Sequence, residues 1–156
     1  AGALKALCEE FPNVRLEFIG ARKLDEFGPK CVYKKWSLET EAADIGNFDL
    51  GLMPLPDNEW TRGKGGYKIL QYMALGIPSL ASPVGINARL VQDGLNGFLV
   101  HTPEGWLDRL RALVSTRELR LSMGRNARKM AEDNYSFEHY TPLLLERLEA
   151  LAARRS

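Results

Sequence analysis

The feature that most constrains this chain is an alternation. Short apolar runs closed by glycine or proline are separated by stretches whose apolar residues recur at helical spacing. Val14–Gly20, Cys31–Trp36, Asp49–Met53, Pro78–Ser82 and Gly97–Val100 read as strands. Strands that alternate with helices need crossover connections, which implies an α/β domain built on a parallel sheet flanked by helices. Ala3–Phe11 reads as a helix, with Leu4, Leu7, Cys8 and Phe11 at i, i+3, i+4, i+7 spacing, and Pro12-Asn13 ends it. The second strand leads to a short helix that Ser37 caps. Lys64–Leu75 is a helix stopped by Gly76, and Asn87–Gln92 is a short one. Thr102-Pro103 starts a helix, since threonine caps well and proline suits the first helical position. Ser115-x-x-Glu118 is a capping-box signature for a helix running to about Asn134. From Ser136 a last helix carries Phe137, Tyr140, Leu144, Leu148 and Leu151 along one face. With no internal repeat, low-complexity tract or linker, residues 1–156 form a single domain.

A length of 156 residues, 45% of them hydrophobic, builds a core without a disulfide or metal staple. The formal charge of +1 excludes a globally basic nucleic-acid binder and an acidic solvating tail. The longest apolar run counting glycine, Tyr72–Ile77, is far short of the roughly 20 residues a membrane span needs. The opening AGALKALCEEF has no basic n-region or apolar h-region, so no signal peptide is expected. Cys8 and Cys31 have no metal-ligand spacing and read as buried thiols of a reducing compartment.

Charge is unevenly placed. Residues 1–61 hold 7 cations and 11 anions, whereas residues 62–101 hold Arg62, Lys64, Lys68 and Arg89 against Asp93 alone. The segment RGKGGYKILQYMALGIP, Arg62–Pro78, follows a proline-rich loop out of a strand and opens a helix. In an open parallel sheet the carboxyl ends of the strands face the ligand crevice. A helix start there offers unpaired N–H groups and roughly half a positive charge, so it attracts phosphate. Gly63, Gly65 and Gly66 let backbone approach a ligand closely. Arg62, Lys64 and Lys68 add charge, and Lys64 and Lys68 share a helical face at i, i+4 spacing. Tyr67 stands between them. Gln71 follows near that face, with an amide able to donate and accept to a sugar hydroxyl pair. The candidate binding residues are therefore Arg62, Lys64, Gly65, Gly66, Tyr67, Lys68 and Gln71. The other reading of this segment is a solvated basic turn punctuated by glycines. The order of residues is neither a Walker loop nor a dinucleotide fingerprint.

Gln71-Tyr72-Met73-Ala74-Leu75-Gly76-Ile77-Pro78 resembles the E-A-M-A-x-G-x-P run of the family-4 (group 1) retaining glycosyltransferases. Phe11–Gly20 is similar to the family's "P-x-v-x-L-x-i-x-G" strand. Ala81-Ser82-Pro83-Val84-Gly85 with Asp93–Val100 matches its "A-S-x-x-G … D-G-x-x-G-x-L-V" stretch. Leu119–Arg128 resembles its "L-R-x-x-M-G-x-x-A-R", and Tyr135–Glu138 its "F-S-W-E". The resemblance implies the C-terminal, donor-binding half of a two-domain GT-B enzyme. It also implies a nucleotide-sugar donor bound without a metal or other cofactor, and an N-terminal domain of the same protein as partner. A cytoplasmic enzyme follows, with any membrane association made through the absent domain or the acceptor.

The family's pair of glutamates falls on Gly63 and Gln71, neither acidic, and Glu59 is the nearby substitute. No residue stands out as catalytic, and the sugar, the base and the acceptor are not legible. The leading reading is the donor-binding domain of a glycosyltransferase, inactive when isolated. The alternative is a non-catalytic nucleotide or phospho-ligand module on the same fold. A sugar-nucleotide epimerase needs acidic and histidine groups around the sugar, and this segment has none. Trp36 reads either as a stacking surface for a base or as an anchor at the core edge, and Trp60 as a sugar cover or a loop pin. Asp49 and Asp57 read as capping groups rather than a catalytic pair. His101 and His139 are assigned no metal. Arg125, Arg128 and Lys129 read as a solvated face. In the resembled domain the strand order is 3-2-1-4-5-6, and Ala3–Phe11 corresponds to the helix after strand 1. The five strands are then numbers 2 to 6, with unpaired edges expected at Val14–Gly20 and Asp49–Met53.

Overall fold

Five short strands carry the fold, and each pairs in parallel. The computed structural model describes residues 2–23, 27 and 30–154. Helix α1 (Gly2–Glu10) precedes β1 (Leu16–Ile19) and β2 (Cys31–Lys34), and α2 (Glu41–Gly46) leads to β3 (Gly51–Met53). Helices α3 (Glu59–Arg62) and α4 (Tyr67–Ala74) lead to β4 (Ser79–Ala81), and α5 (Asn87–Leu90) leads to β5 (Gly97–Leu99). Helices α6 (Pro103–Ser115), α7 (Arg117–Tyr135) and α8 (Phe137–Ala153) follow. The α/β architecture with parallel strands and covering helices is the one read from the alternation.

The strands form two sheets. β1 pairs with β2, Leu16 opposite Cys31, while β3, β4 and β5 pair in that order, with Gly51 opposite Ser79 and Ser79 opposite Gly97. The break falls between β1 and β3, where the strand numbering places unpaired edges. Helices hold the halves together. Leu7 of α1 joins Leu80, Phe98, Val100, Leu110, Leu113 and Met123 in the largest core cluster. Tyr72 of α4, Ile45 of α2 and Ile77 form a second, with Ile19 of β1 packed against it. A third joins Ile69 and Met73 of α4 to Ala127 and Ala131 of α7. β4, buried at all three residues, is central because it has strands on both sides and helices on both faces, which suits its apolar run.

Local signals held where a side chain reached its target. Thr102 accepts a hydrogen bond from the Gly105 amide at the start of α6, with Pro103 in the first turn, and Ser136 accepts from His139 at the start of α8. Three expectations are corrected. Ser37 does not cap α2: its hydroxyl donates to the Glu39 carboxylate, and the helix starts later, behind Thr40. Ser115-x-x-Glu118 forms no capping box, because Ser115 is still the last residue of α6 and the extended Thr116 serves as the boundary of both helices. The Lys64–Leu75 helix starts only at Tyr67, since Gly66 at φ 65° breaks the helical path and a separate turn, α3, precedes it. Cys8 is buried and Cys31 half-buried, both are free thiols, and burial pushes both upward from the usual thiol range. The apolar face of α8 is on the surface: none of its residues is buried, and Phe137 is 88% exposed.

Lys34 ties the two-stranded sheet to α2, its ammonium lying 3.0 Å from Glu17 and 3.0 Å from Asp44. Hydrogen bonds to Glu17 and Asp44 raise the Lys34 pKa, and the bond from Lys34 holds Asp44 below the usual carboxylate range. A carboxylate whose folded pKa is depressed contributes stability above its unfolded pKa of about 3.9 and loses it as pH falls through the lower folded value. Urea unfolding at pH 5 and below pH 3 should therefore show a smaller acid loss in Lys34→Met than in the parent chain. Identical acid losses would remove this pair from the account.

Candidate functional site

Helices that follow parallel strands begin at the strands' carboxyl ends, and one crevice lies there, beside a second that runs along the gap between the two sheets. The first, about 580 Å³, is lined by Pro54, Ser82 and His101, just past β3, β4 and β5, and by Gly2 at the start of α1 and Thr102 before α6. The second, about 530 Å³, runs between β1 and β3 and holds Trp36, Lys68 and Gln71 in its wall. Leu4, Leu52, Pro54 and Leu110 line both, so the two adjoin.

The candidate binding segment is divided between these surroundings. Lys68 and Gln71, i and i+3 on α4, share the second crevice with Trp36. Arg62 is committed elsewhere: its guanidinium makes a bidentate pair with Asp57 at 2.6 and 3.1 Å, which holds that carboxyl below its usual range. Lys64 and Gly65 lie in the exposed loop between α3 and α4, and Tyr67 is exposed at the first position of α4. Lys64 and Lys68 thus do not share a helical face, because Lys64 precedes the helix. Glu59 is exposed on the first turn of α3.

The three loop glycines differ in kind. Gly66 is left-handed, and a Cβ there would meet Leu90 Cδ1 at 2.5 Å and Ile86 Cγ2 at 2.8 Å, so it serves the packing of α4 on α5. A Cβ at Gly65 meets nothing within 4 Å, and one at Gly63 makes only ordinary contact. Gly66 also leaves α4, an eight-residue helix, without a side-chain cap; the Ile69 amide donates to the Gly66 carbonyl, which leaves the Tyr67 and Lys68 amides as the uncapped first-turn donors.

Neighbouring groups have defined roles. Trp36 is half exposed, and its indole N–H donates to Glu41 Oε1 at 2.7 Å, which fixes the ring at the crevice edge. Trp60 is 81% exposed on α3. Asp49 lies 3.8 Å from the Arg120 guanidinium, so both candidate aspartates face arginines rather than each other. Arg128 is more than a solvated cation: it donates to the carbonyl of Ala74 at the end of α4 while pairing with Glu132 at 2.6 Å. No sequence signal joins Arg128 to Ala74, since they meet only when α7 packs on α4. Asn87, which no motif marks, is buried, and its Nδ2 donates to the Ser82 carbonyl at 3.2 Å. Among the described residues no three His, Cys, Asp or Glu side chains converge as metal ligands. No helix among them is long and apolar enough to cross a membrane.

In open parallel α/β sheets, ligands bind at the carboxyl ends of the strands, and the first crevice lies there. Residues 59–130 match the family model of glycosyl transferases group 1. Spore coat protein SA of Bacillus subtilis (strain 168) is 32% identical over 76 residues, 47% of this chain and 20% of that protein. The matched stretch therefore spans a fifth of that curated relative's length. In fold, the C-terminal domain of the glycosyl transferase group 1 family protein LpcC from Francisella tularensis is similar at a TM-score of 0.70 and 18% identity. That match covers 86% of this chain and 76% of LpcC's. The Anabaena protein Alr3699/HepE in complex with UDP is similar at a TM-score of 0.73 and 17% identity, over 95% of this chain and 44% of its own. The α/β fold is that of a GT-B half-domain, as the motif resemblance implied.

The glycine geometry yields a paired test. Gly66→Ala should cost about 2–4 kcal/mol, from left-handed backbone strain plus overpacking against Leu90. Gly65→Ala should leave thermal and urea midpoints unchanged. Equal stabilities for the two variants would show that Gly66 does not hold α4 in place.

Proposed function

We propose that this domain holds the nucleotide-sugar donor of a retaining glycosyltransferase, without a metal, in the two adjoining crevices, one at the carboxyl ends of its strands and one beside Lys68 and Gln71 of α4. The observation that carries the reading is the open N-terminus of α4 beside Lys68 and Gln71, inside the segment that matches the group 1 family. Lys68 supplies a charge-assisted hydrogen bond to the diphosphate, and the α4 amides share the charge that develops as the diphosphate departs. Gln71 takes the ribose hydroxyls from the next turn. Lys64, Gly65 and Tyr67 form the outer lip of the site, where the backbone at Gly65 is bare enough for a phosphate to approach. Arg62 acts through Asp57, bracing the loop between β3 and α4. The acceptor and any sugar-facing groups come from a second domain, so catalysis rests on bringing two reactants together across a cleft.

A second reading is favoured by one specific feature. Gly63 and Gln71 occupy the positions that the motif resemblance assigns to carboxylates, which fits a module that binds the nucleotide and transfers nothing. Transfer of labelled sugar by the full-length protein separates the two readings.

Calorimetric titration of the 156-residue chain with UDP-, GDP- and ADP-sugars tests the binding step. Lys68→Ala should weaken the favoured donor by about 1.5–3 kcal/mol, the range of a hydrogen bond to a charged group, and Gly65→Ala should weaken it without altering stability. Unchanged affinity in Lys68→Ala would return the basic segment to a solvated turn.

The isolated domain should bind without turnover. Release of sugar to any acceptor by the purified 156-residue chain would show that the transfer machinery lies within it.

A further inference from the structure

The geometry points to Gly124 and Arg128 of α7 as positioning residues for Gln71: they seat the last turn of α4 and so fix where that side chain stands in the crevice wall. Both lie outside the two crevices, and their bearing on a nucleotide rests on the donor reading above. The seat begins with how α4 ends. Gly76, left-handed at φ 68°, stops the helix. Its amide donates to the Met73 carbonyl at 3.0 Å, Ile77 donates to Tyr72 at 2.9 Å, and Leu75 donates to Gln71 at 3.2 Å. This closure uses the carbonyls of Gln71, Tyr72 and Met73. The next carbonyl, Ala74, accepts from Arg128 of α7 instead. A guanidinium there also complements the negative end of the helix dipole, and Glu132 Oε1, 2.6 Å from Arg128 Nε, holds it in place.

Gly124 sets the depth of the seat. A Cβ at this position would meet the Gly76 carbonyl oxygen at 2.1 Å, so α7 meets the turn backbone to backbone. Gly124, Ala127, Arg128 and Ala131 stand at i, i+3, i+4, i+7 on one face of α7, and Ala127 and Ala131 pack on Ile69 and Met73 of α4 in one buried cluster. The helix that forms the seat is itself tied down. Asn126 donates to the Leu95 carbonyl at 3.0 Å, and buried Asn96 donates to Met130 Sδ at 3.2 Å. At its other end α4 is pressed onto Leu90 and Ile86 through Gly66. Eight helical residues span about 12 Å at 1.5 Å each and move as one body. Held at both ends, such a helix keeps its crevice side chains in place. Released at Ala74, it pivots about Gly66, and Gln71, nearer the freed end, is displaced more than Lys68. Small displacements matter where a polar group must meet a ligand hydroxyl at hydrogen-bond distance.

The test compares Arg128→Met with Arg125→Met, which removes an exposed cation from the same helix, in the 156-residue chain. Without any nucleotide, Arg128→Met should shift the Gln71 side-chain amide resonance and speed hydrogen exchange at Gly76 and Ile77 about tenfold. Arg128→Lys, which keeps a cationic donor for Ala74, should return both toward the parent. Arg125→Met should change neither. Calorimetry with UDP, GDP and ADP reads the consequence. Arg128→Met should weaken the tightest of the three about three- to tenfold, the range carried through packed elements. In a Gln71→Ala background the same substitution should cost nothing further, because the group it positions is gone. A merely stabilising Arg128 would give additive losses in the double variant, and that result would overturn the positioning role. Equal affinity of Arg128→Met and the parent, or an unmoved Gln71 resonance, counts equally against it. Gly124→Ala should shift the same resonance; should it fail to fold, Arg128→Met, at a half-exposed side chain, decides alone. Failure of the parent to bind any of the three nucleotides would overturn the donor reading, and the nucleotide-free spectra would still decide whether α7 places Gln71.

Discussion

Packing between layers, more than strand pairing, holds this domain together. Its five strands make two separate ladders, and no pairing crosses from β1 to β3. What joins the halves is apolar surface on the covering helices. Leu7 of α1 reaches the β4–β5 core beside Leu80 and Phe98, while Ile45 and Tyr72 bring Ile19 of β1 into contact with the other face. Because burial of apolar area is non-directional, it tolerates a missing ladder in a way that hydrogen bonding does not. The same helices set the position of every loop at the carboxyl edge, so the site depends on this packing too.

At that edge the chain uses one glycine to do two things. Gly66 in the left-handed region lets α4 start immediately after the loop and press against Leu90 and Ile86. Having no side chain, it also leaves the helix start uncapped. The break it introduces separates the cations that the linear sequence places together: Arg62 turns to Asp57, Lys64 stays in the loop, and Lys68 reaches the cleft wall with Gln71. The charge that converges on the crevice is thus smaller than the count of basic residues suggests. Trp36, held by Glu41, adds a flat apolar surface to the same crevice.

Much of this was legible beforehand, and the particular elements show why. The strand positions and the parallel arrangement follow from periodicity and the order of elements, which are local and topological properties, whereas the split between β1 and β3 was implied by the family resemblance. The Thr102 and Ser136 caps were legible for the same reason, as each bond spans three residues. The Ser37 and Ser115 caps failed because a competing partner, Glu39 in one case and the continuing α6 in the other, lies outside the motif. The last helix shows the limit of pattern alone. Its apolar positions are those of a core-facing helix, yet Phe137, Leu144 and Leu148 are exposed, since burial requires a neighbour that spacing does not specify.

The sequence by itself determined that the chain would be an α/β domain with a glycine-rich basic segment at residues 62–71, because strand and helix periods, glycine and charge are written in the order of residues. Tertiary structure alone decided which of those residues meet. Lys68 and Gln71 share a wall with Trp36 across 32 and 35 residues of chain, Arg128 closes the end of α4 from 54 residues away, and the apolar cleft exists only because two sheet edges are held apart by helices. Contacts of that kind depend on how packed layers fall against one another, and no spacing rule along the chain encodes them.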